Sequence, residues 1–229
     1  MSKIPTLEEL LDAGVHFGHR EQKAHPKMRP FVYSVNNGVQ IINLEKTQEL
    51  LKVALDFMQT SLRQGKKILF VGTKYQARDL VSELAGKANI PYVTERWIGG
   101  TLTNFSVISK MSTKLKKLER DLAQGELEKY TKKEQARFKE EITRLQKIVG
   151  GLRDMEKMPD LIFIVDAKRE ETALNEARKM HLPIIALADT NVNPDKLDYP
   201  IPCNDDGIKS LKLMLETIIS AASEASAKD

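Results

Sequence analysis

The chain has 229 residues, enough to bury a sizeable core, and its composition of 41% apolar and 30% charged residues is that of a globular protein. Its single cysteine, Cys203, excludes an intramolecular disulfide and a zinc site made of cysteines alone. No apolar segment approaches the roughly 18 residues that a membrane span requires. We therefore expect a cytoplasmic protein that has no membrane partner.

The formal net charge of +4 is unevenly distributed along the chain. Residues 15–30 hold four Lys or Arg against one Glu, and residues 104–155 hold 13 Lys or Arg against eight Asp or Glu. The remainder is acidic, and we expect it to leave a face free for another protein. Since local potential attracts phosphate more than net charge does, the two basic segments favour a polyanionic partner. A solvated helical face and a lysine-rich loop are the alternative.

The N-terminal quarter is predicted to contain two helices and a hairpin. Thr6-Leu7-Glu8-Glu9 fits a capping box, and Gly14 is placed to end the short helix that it opens. After a basic loop, Asn37-Gly38 predicts the tight turn of a hairpin, and a helical period follows. The predicted elements are the strands Phe31–Ser34 and Val39–Ile42 and the helix Glu45–Arg63.

Strands and helices then alternate. Runs such as Ile68-Leu69-Phe70-Val71 are short and continuously apolar, as expected for strands that helices cover on both faces. This alternation predicts an α/β fold with a doubly wound parallel sheet. The predicted strands are 67–71, 91–93, 161–165, 183–188 and 199–201, and the predicted helices are 75–85, 170–180 and 208–222.

A long segment interrupts the alternation between Val93 and Leu161. Its apolar residues are spaced by three and four in turn, which is the pattern of heptad seams. We predict an antiparallel coiled-coil hairpin over residues 105–155, inserted into a sheet domain of residues 1–104 and 156–229; a simple helical lid is the alternative. The seams are Met111, Leu115, Leu118 and Leu122, then Phe138, Ile142, Leu145, Val149 and Leu152.

Two motifs suggest functions other than nucleic-acid binding: a phosphate-binding turn and a metal site. Gly72-Thr73-Lys74 follows a predicted strand and could offer backbone amides to a phosphate, so a nucleotide- or flavin-binding α/β enzyme is the alternative function. The motif lacks the further glycines and the Lys-Ser/Thr pair of known phosphate loops. His16, His19 and His25 could form a metal site, but a zinc site would also need a carboxylate ligand. We expect no cofactor and no metal.

Basic side chains beside histidine and tryptophan are the candidates for contact with nucleic acid, because they bind phosphate and stack on bases. For Trp97, a packing anchor is the alternative. The candidate nucleic-acid-binding residues are His16, His19, Arg20, Lys23, Lys27, Arg29, Lys74, Arg96, Trp97, Lys110 and Lys114.

Five segments in order, which span nearly the whole chain, match the motifs of one family. They are Leu10–Arg20 (LLDAGVHFGHR), Pro26–Pro30 with the following Asn37-Gly38 hairpin to Thr47, Arg96–Asn104 (RWIGGTLTN), Pro159–Pro183 and Ile185–Asp206. Together they resemble the bacterial small-subunit ribosomal protein S2 family, and the basic insertion falls where that family has one. Members usually have Trp before the Asn/His-Pro-Lys-Met step, whereas Ala24-His25 precedes Pro26 here.

The resemblance implies a non-enzymatic structural constituent of the small ribosomal subunit, with a flavodoxin-like domain and a coiled-coil arm. Its implied partners are small-subunit rRNA and neighbouring ribosomal proteins, including the large OB-repeat protein that recruits mRNA, and the chain would be a monomer within the ribosome. The binding residues carried over from matching motifs are His16, His19, Arg20, Lys27, Arg29 and Arg96.

Overall fold

The computed structural model describes residues 4–226, so the outermost three residues at each end of the predicted sheet domain lie outside it. Helix α1 (Leu7–Asp12) opens with the predicted capping box, in which Thr6 and Glu9 each bond the other's backbone amide. Three antiparallel strands follow in the order β1-β3-β2. They are β1 (Phe17–Arg20), β2 (Val32–Asn36) and β3 (Val39–Ile42).

The main sheet has five parallel strands in the order β5-β4-β6-β7-β8. Within this sheet, β4 comes first along the chain and lies between β5 and β6, which come second and third. This is the strand order of flavodoxin-like folds. The mixed α/β architecture predicted from the sequence is confirmed. The strands are β4 (Ile68–Val71), β5 (Tyr92–Val93), β6 (Leu161–Ile164), β7 (Ile184–Ala188) and β8 (Tyr199–Pro202). The remaining helices are α2 (Leu44–Arg63), α3 (Tyr75–Lys87), α4 (Phe105–Ala123), α5 (Lys132–Val149), α6 (Glu171–Lys179) and α7 (Ile208–Ser226).

Alternating strand residues supply two apolar clusters, one on each face of the sheet. Phe70 and Phe163, whose rings lie 4.9 Å apart, belong to the first apolar cluster together with residues of α2, α3 and α7. Ile162 and Ile164 belong to the second apolar cluster, with residues of α4, α5 and α6. Since side chains alternate along a strand, continuously apolar strands bury both faces. This explains why the runs predicted as strands lack polar positions.

The insertion forms two helices, α4 and α5, which pack on each other. The chain turns at Gly125, which has a φ of +71°, and Thr131 then caps α5. Leu115 and Leu145 are buried in the second apolar cluster, whereas Leu122 is 40% exposed although it is part of the predicted seam. The knobs-into-holes packing of a coiled coil and the boundary of a separate arm domain stay predictions.

The sequence predicts a loop at residues 17–20, but β1 lies there and pairs with β3, with Phe17 opposite Ile41. Gly18 permits a close approach to another loop, because a Cβ atom there would lie 2.6 Å from Thr190 Cγ2. These contacts involve residues distant in sequence, so no local pattern marks this strand. Among the helices described within residues 4–226, none has both the length and the apolar character needed to cross a membrane.

Candidate nucleic-acid interface

The basic residues of the N-terminal segment lie on β1 and on the connection that leads to β2. Arg20, Lys23 and Arg29 are exposed, and within residues 4–226 they form no ion pair. Lys27 is also exposed, but its ammonium group pairs with Asp195. Arg20 and Arg29 can each meet a phosphate without first breaking an internal contact, whereas the charge of Lys23 also acts on the nearby Asp206.

His19 differs from these cations because carboxylates surround its ring. Its Nδ1 lies 3.0 Å from Asp189 Oδ1, and its Nε2 lies 3.5 Å from Asp206 Oδ2 and 3.0 Å from the Asn191 amide nitrogen. The hydrogen bond to Asp189 is the main reason that the pKa of His19 is raised, although burial opposes it. Both ring nitrogens therefore have partners inside the protein.

The other two histidines that were considered for a metal site lie elsewhere. His16 packs against the Phe17 ring at 4.0 Å, and burial lowers its pKa, so the ring favours the neutral form. His25 Nδ1 accepts a hydrogen bond from the backbone of Lys27. Among residues 4–226, the group that could hold a cation is His19 with Asp189 and Asp206, whose ligand atoms all lie within 4.8 Å of one another. One imidazole and two carboxylates are donors that suit Zn²⁺.

Lys74 is buried at the edge of the sheet where the strands end. Its Nζ lies 2.5 Å from Asp205, 2.7 Å from Asp206 and 3.1 Å from Asp166. Burial by itself lowers the pKa of Lys74, but the three carboxylates outweigh it and the pKa is raised. The ammonium group thus stays charged and joins the segments that follow β4, β6 and β8.

The Gly72-Thr73-Lys74 turn is already occupied by an internal carboxylate. The Thr73 amide donates to Glu170 Oε1 at 2.9 Å, and the Thr73 hydroxyl donates to the same oxygen at 2.5 Å. Gly72 serves packing, since a Cβ atom there would lie 2.8 Å from Val165 Cγ2. The amide that could have met a phosphate is therefore satisfied by Glu170.

A single carboxylate on α6 fixes the loop that contains Trp97. Glu176 accepts hydrogen bonds from the Trp97 indole nitrogen at 3.1 Å, from the Gly100 amide at 2.8 Å and from the Leu102 amide at 3.0 Å. Trp97 is 8% exposed and belongs to the second apolar cluster. Arg96 beside it is exposed and has no carboxylate partner in the described part of the chain.

The two candidate lysines of α4 differ in their partners. Lys110 is exposed and forms no ion pair with any residue from 4 to 226. Lys114 lies 2.5 Å from Glu141 of α5, and Arg153 likewise pairs with Glu119 of α4 at 2.7 Å. Part of the positive charge of the insertion therefore holds the two helices together.

Comparison with known proteins identifies the family. The family model described as ribosomal protein S2 matches residues 10–225. The chain is 46% identical over 221 residues to the small ribosomal subunit protein uS2 of Coprothermobacter proteolyticus, which covers 96% of this chain and 82% of the relative. It is 44% identical to uS2 of Geotalea uraniireducens and 46% identical to uS2c of the alga Rhodomonas salina, covering 98% and 96% of this chain and 87% and 91% of the two relatives. The chain belongs to the ribosomal protein S2 family.

Membership of the S2 family confirms the resemblance and makes this chain a protein of the small ribosomal subunit that takes part in translation. Its relatives are structural ribosomal proteins and not enzymes, so the nucleotide- or flavin-binding enzyme is rejected. The Glu170 carboxylate at the Thr73 amide gives the physical reason, because it fills the place that a phosphate would need.

Sequence reasoning missed several residues that organise this S2-family site. Asp205 and Asp206 follow β8, and Glu176 occupies an ordinary helical position. The parallel sheet brings Asp205 and Asp206 close to Asp189, because the strand ends of such folds meet at one edge. Nothing in the sequence near Glu176 signals its contacts with a loop 73 or more residues earlier.

Proposed function

We propose that this protein of the small ribosomal subunit binds small-subunit rRNA directly. The observation that carries the proposal is the set of exposed cations Arg20, Lys23 and Arg29 on one short segment, none of which forms an ion pair within residues 4–226. Phosphate contacts dominate the affinity of such interfaces, and they release counterions when they form. Arg96 and Lys110 are further exposed cations that we propose to contact rRNA, while Lys27 and Lys114 can do so after leaving their carboxylate partners.

Three of the candidate RNA-binding side chains already make contacts inside the protein that stabilise its fold. His19 and Lys74 have their polar atoms committed to carboxylates, and His16 packs on Phe17. Bringing phosphate to His19 or Lys74 would place it next to Asp206, which is unfavourable. We therefore propose that these side chains act indirectly, by fixing β1 and the strand ends that carry the exposed cations.

The test is the salt dependence of binding to small-subunit rRNA by the full chain. The triple variant Arg20→Gln, Lys23→Gln, Arg29→Gln should bind more weakly, and the slope of log affinity against log salt should fall by about 2 to 3 because each lost phosphate contact removes nearly one unit. The matched control is the triple variant Lys52→Gln, Arg63→Gln, Lys66→Gln, whose exposed cations lie on or just after α2. Equal slopes for both triple variants would refute the proposal.

We further propose that the three-stranded sheet helps dock the large OB-repeat protein that recruits mRNA. Tyr33 and Val35 on β2 are 76% and 47% exposed. Exposed apolar side chains grouped in one small sheet are typical of protein interfaces.

Docking is tested by sedimentation of subunits that carry tagged variants. Tyr33→Ser should leave the chain in the small subunit and lower the amount of the OB-repeat protein that sediments with it. Tyr75→Ser is the matched control, because Tyr75 is 73% exposed on α3. Loss of the partner with both variants, or with neither, would contradict the proposed surface.

A further inference from the structure

A groove lies between the segment after β5 and the last turns of α5. It has a volume of about 420 Å³ and is lined by Glu95–Gly99 together with Lys147 and Ile148. Trp97, Ile98 and Ile148 give it an apolar wall, and it adjoins a second cavity of about 310 Å³ along β5 that shares Glu95, Lys147 and Ile148. Cavities of this size accept small planar groups.

The two walls of this groove are fixed within the protein itself. Glu176 holds Trp97, Gly100 and Leu102 through three hydrogen bonds of 2.8 to 3.1 Å. On the other side, Gly151 lets the end of α5 approach β5, because a Cβ atom there would lie 2.3 Å from the Tyr92 carbonyl oxygen. A groove that needs no rearrangement loses little entropy when it binds a ligand.

The charges around the groove indicate an anionic ligand. Arg96 and Lys147 line it, both are exposed, and neither pairs with a carboxylate in the described residues. Lys139 and Arg144 continue the basic surface along α5 next to Lys147, although Arg144 lies 3.8 Å from Glu141. Glu95 and Glu140 also line the groove and this surface, so the lining cations exceed the lining anions by two.

We propose that this groove binds an unpaired nucleotide of small-subunit rRNA, with the base against the apolar wall and the phosphate at Arg96 and Lys147. The proposal rests on the proposed rRNA binding and assigns the α5 face that bears Lys139 and Lys147 as the RNA-facing side of the insertion. An apolar or aromatic wall beside a basic rim is the arrangement by which proteins hold unpaired bases.

Trp97 provides a direct probe, because it is the only tryptophan of the chain. Binding of small-subunit rRNA to the full chain should change the Trp97 fluorescence at saturation. The variant Ile148→Asp should abolish that change and weaken binding by about 5- to 150-fold, the range for one stacked base. Since Ile148 is half-buried, Arg96→Gln with Lys147→Gln serves as a second variant at exposed positions.

The N-terminal triple variant Arg20→Gln, Lys23→Gln, Arg29→Gln separates the two proposals. If the groove holds a nucleotide, that variant binds rRNA more weakly yet shows the full Trp97 change at saturation. If rRNA binds the wild type tightly without any Trp97 change, and Arg96→Gln with Lys147→Gln binds normally, the groove proposal fails and rRNA binding stands. A Trp97 response to polyglutamate but not to rRNA would indicate an acidic protein segment and would also overturn it.

Discussion

At the scale of single residues, Glu176 shows how one carboxylate determines the shape of a functional loop. It receives hydrogen bonds from the Trp97 indole and from the backbone amides of Gly100, Leu102 and Thr103. Burial by itself raises the pKa of Glu176, but these hydrogen bonds outweigh it and the pKa is lowered. The charged form is therefore the one that holds the loop.

Glu176→Gln should lower the free energy of unfolding by about 2 kcal/mol, because an amide NH₂ group would face backbone donors and a charged acceptor would be lost. For a chain of this length, that loss corresponds to a fall in Tm of about 4–8 °C. Thermal unfolding followed by circular dichroism measures it. Glu171→Gln on the same helix is the control, since its partner Lys196 lies at 3.3 Å on the surface. An equal effect of both variants would disprove the role of Glu176.

The same carboxylate predicts a pH dependence. Because its pKa is lower in the folded protein than the ordinary value of 4.5, its stabilisation is complete above that value and is lost as the pH falls below it. The difference in unfolding free energy between the wild type and Glu176→Gln should thus shrink as the pH falls below 4.5. Urea titrations at several pH values measure this difference, and a constant difference down to the lowest of them would contradict the assignment.

At the scale of elements, the insertion is bound to the sheet through a shared apolar cluster. Leu145 of α5, Leu115 of α4 and Ile162 of β6 all belong to the second apolar cluster. The sequence predicted both helices from their heptad spacing, because that spacing is local. It could not predict that Leu122 of the same seam is 40% exposed, since burial depends on where the sheet and the partner helix end.

Leu145→Ala should lower the free energy of unfolding by about 2–5 kcal/mol through the cavity that it leaves. Because Leu145 shares a cluster with the sheet, we expect a single unfolding transition that shifts as a whole. Urea unfolding followed by far-ultraviolet circular dichroism and by Trp97 fluorescence measures it. Leu122→Ala, at an exposed position of the same insertion, should cost about 0.5 kcal/mol or less. Separate transitions for the two probes would show that the arm unfolds independently.

At the scale of the whole molecule, the parallel sheet gathers charges from distant parts of the chain. Lys74 follows β4, Asp166 follows β6, and Asp205 and Asp206 follow β8. Burial and the neighbouring Asp166 and Asp189 raise the pKa of Asp205 to about 8 even though Lys74 is in contact with it. At neutral pH Asp205 is therefore largely protonated, and Lys74 balances the charges of Asp166 and Asp206.

Lys74→Met should lower the free energy of unfolding at neutral pH by about 3–5 kcal/mol, since it leaves the buried Asp166 and the neighbouring Asp206 without a counter-charge. The loss should decrease at acidic pH, because protonation removes their repulsion. Lys114→Met is the control: Lys114 is 55% exposed and its ion pair with Glu141 is worth at most about 1 kcal/mol. Denaturant unfolding at neutral and acidic pH measures both, and a pH-independent loss for Lys74→Met would contradict this explanation.

The sequence by itself determined the class of fold, the family and the position of the basic segments. Continuous apolar strands, helical periods and ordered motifs are properties of neighbouring residues, so they can be recognised without coordinates. Only the tertiary structure decided which cations are free. In the sequence, Arg20 and Lys74 are both cations that could bind phosphate. In the structure, the strand ends surround Lys74 with Asp166, Asp205 and Asp206 and leave Arg20 exposed. The ion pairs of Lys74 join segments more than 90 residues apart in sequence, and only the fold determines the distances between those segments.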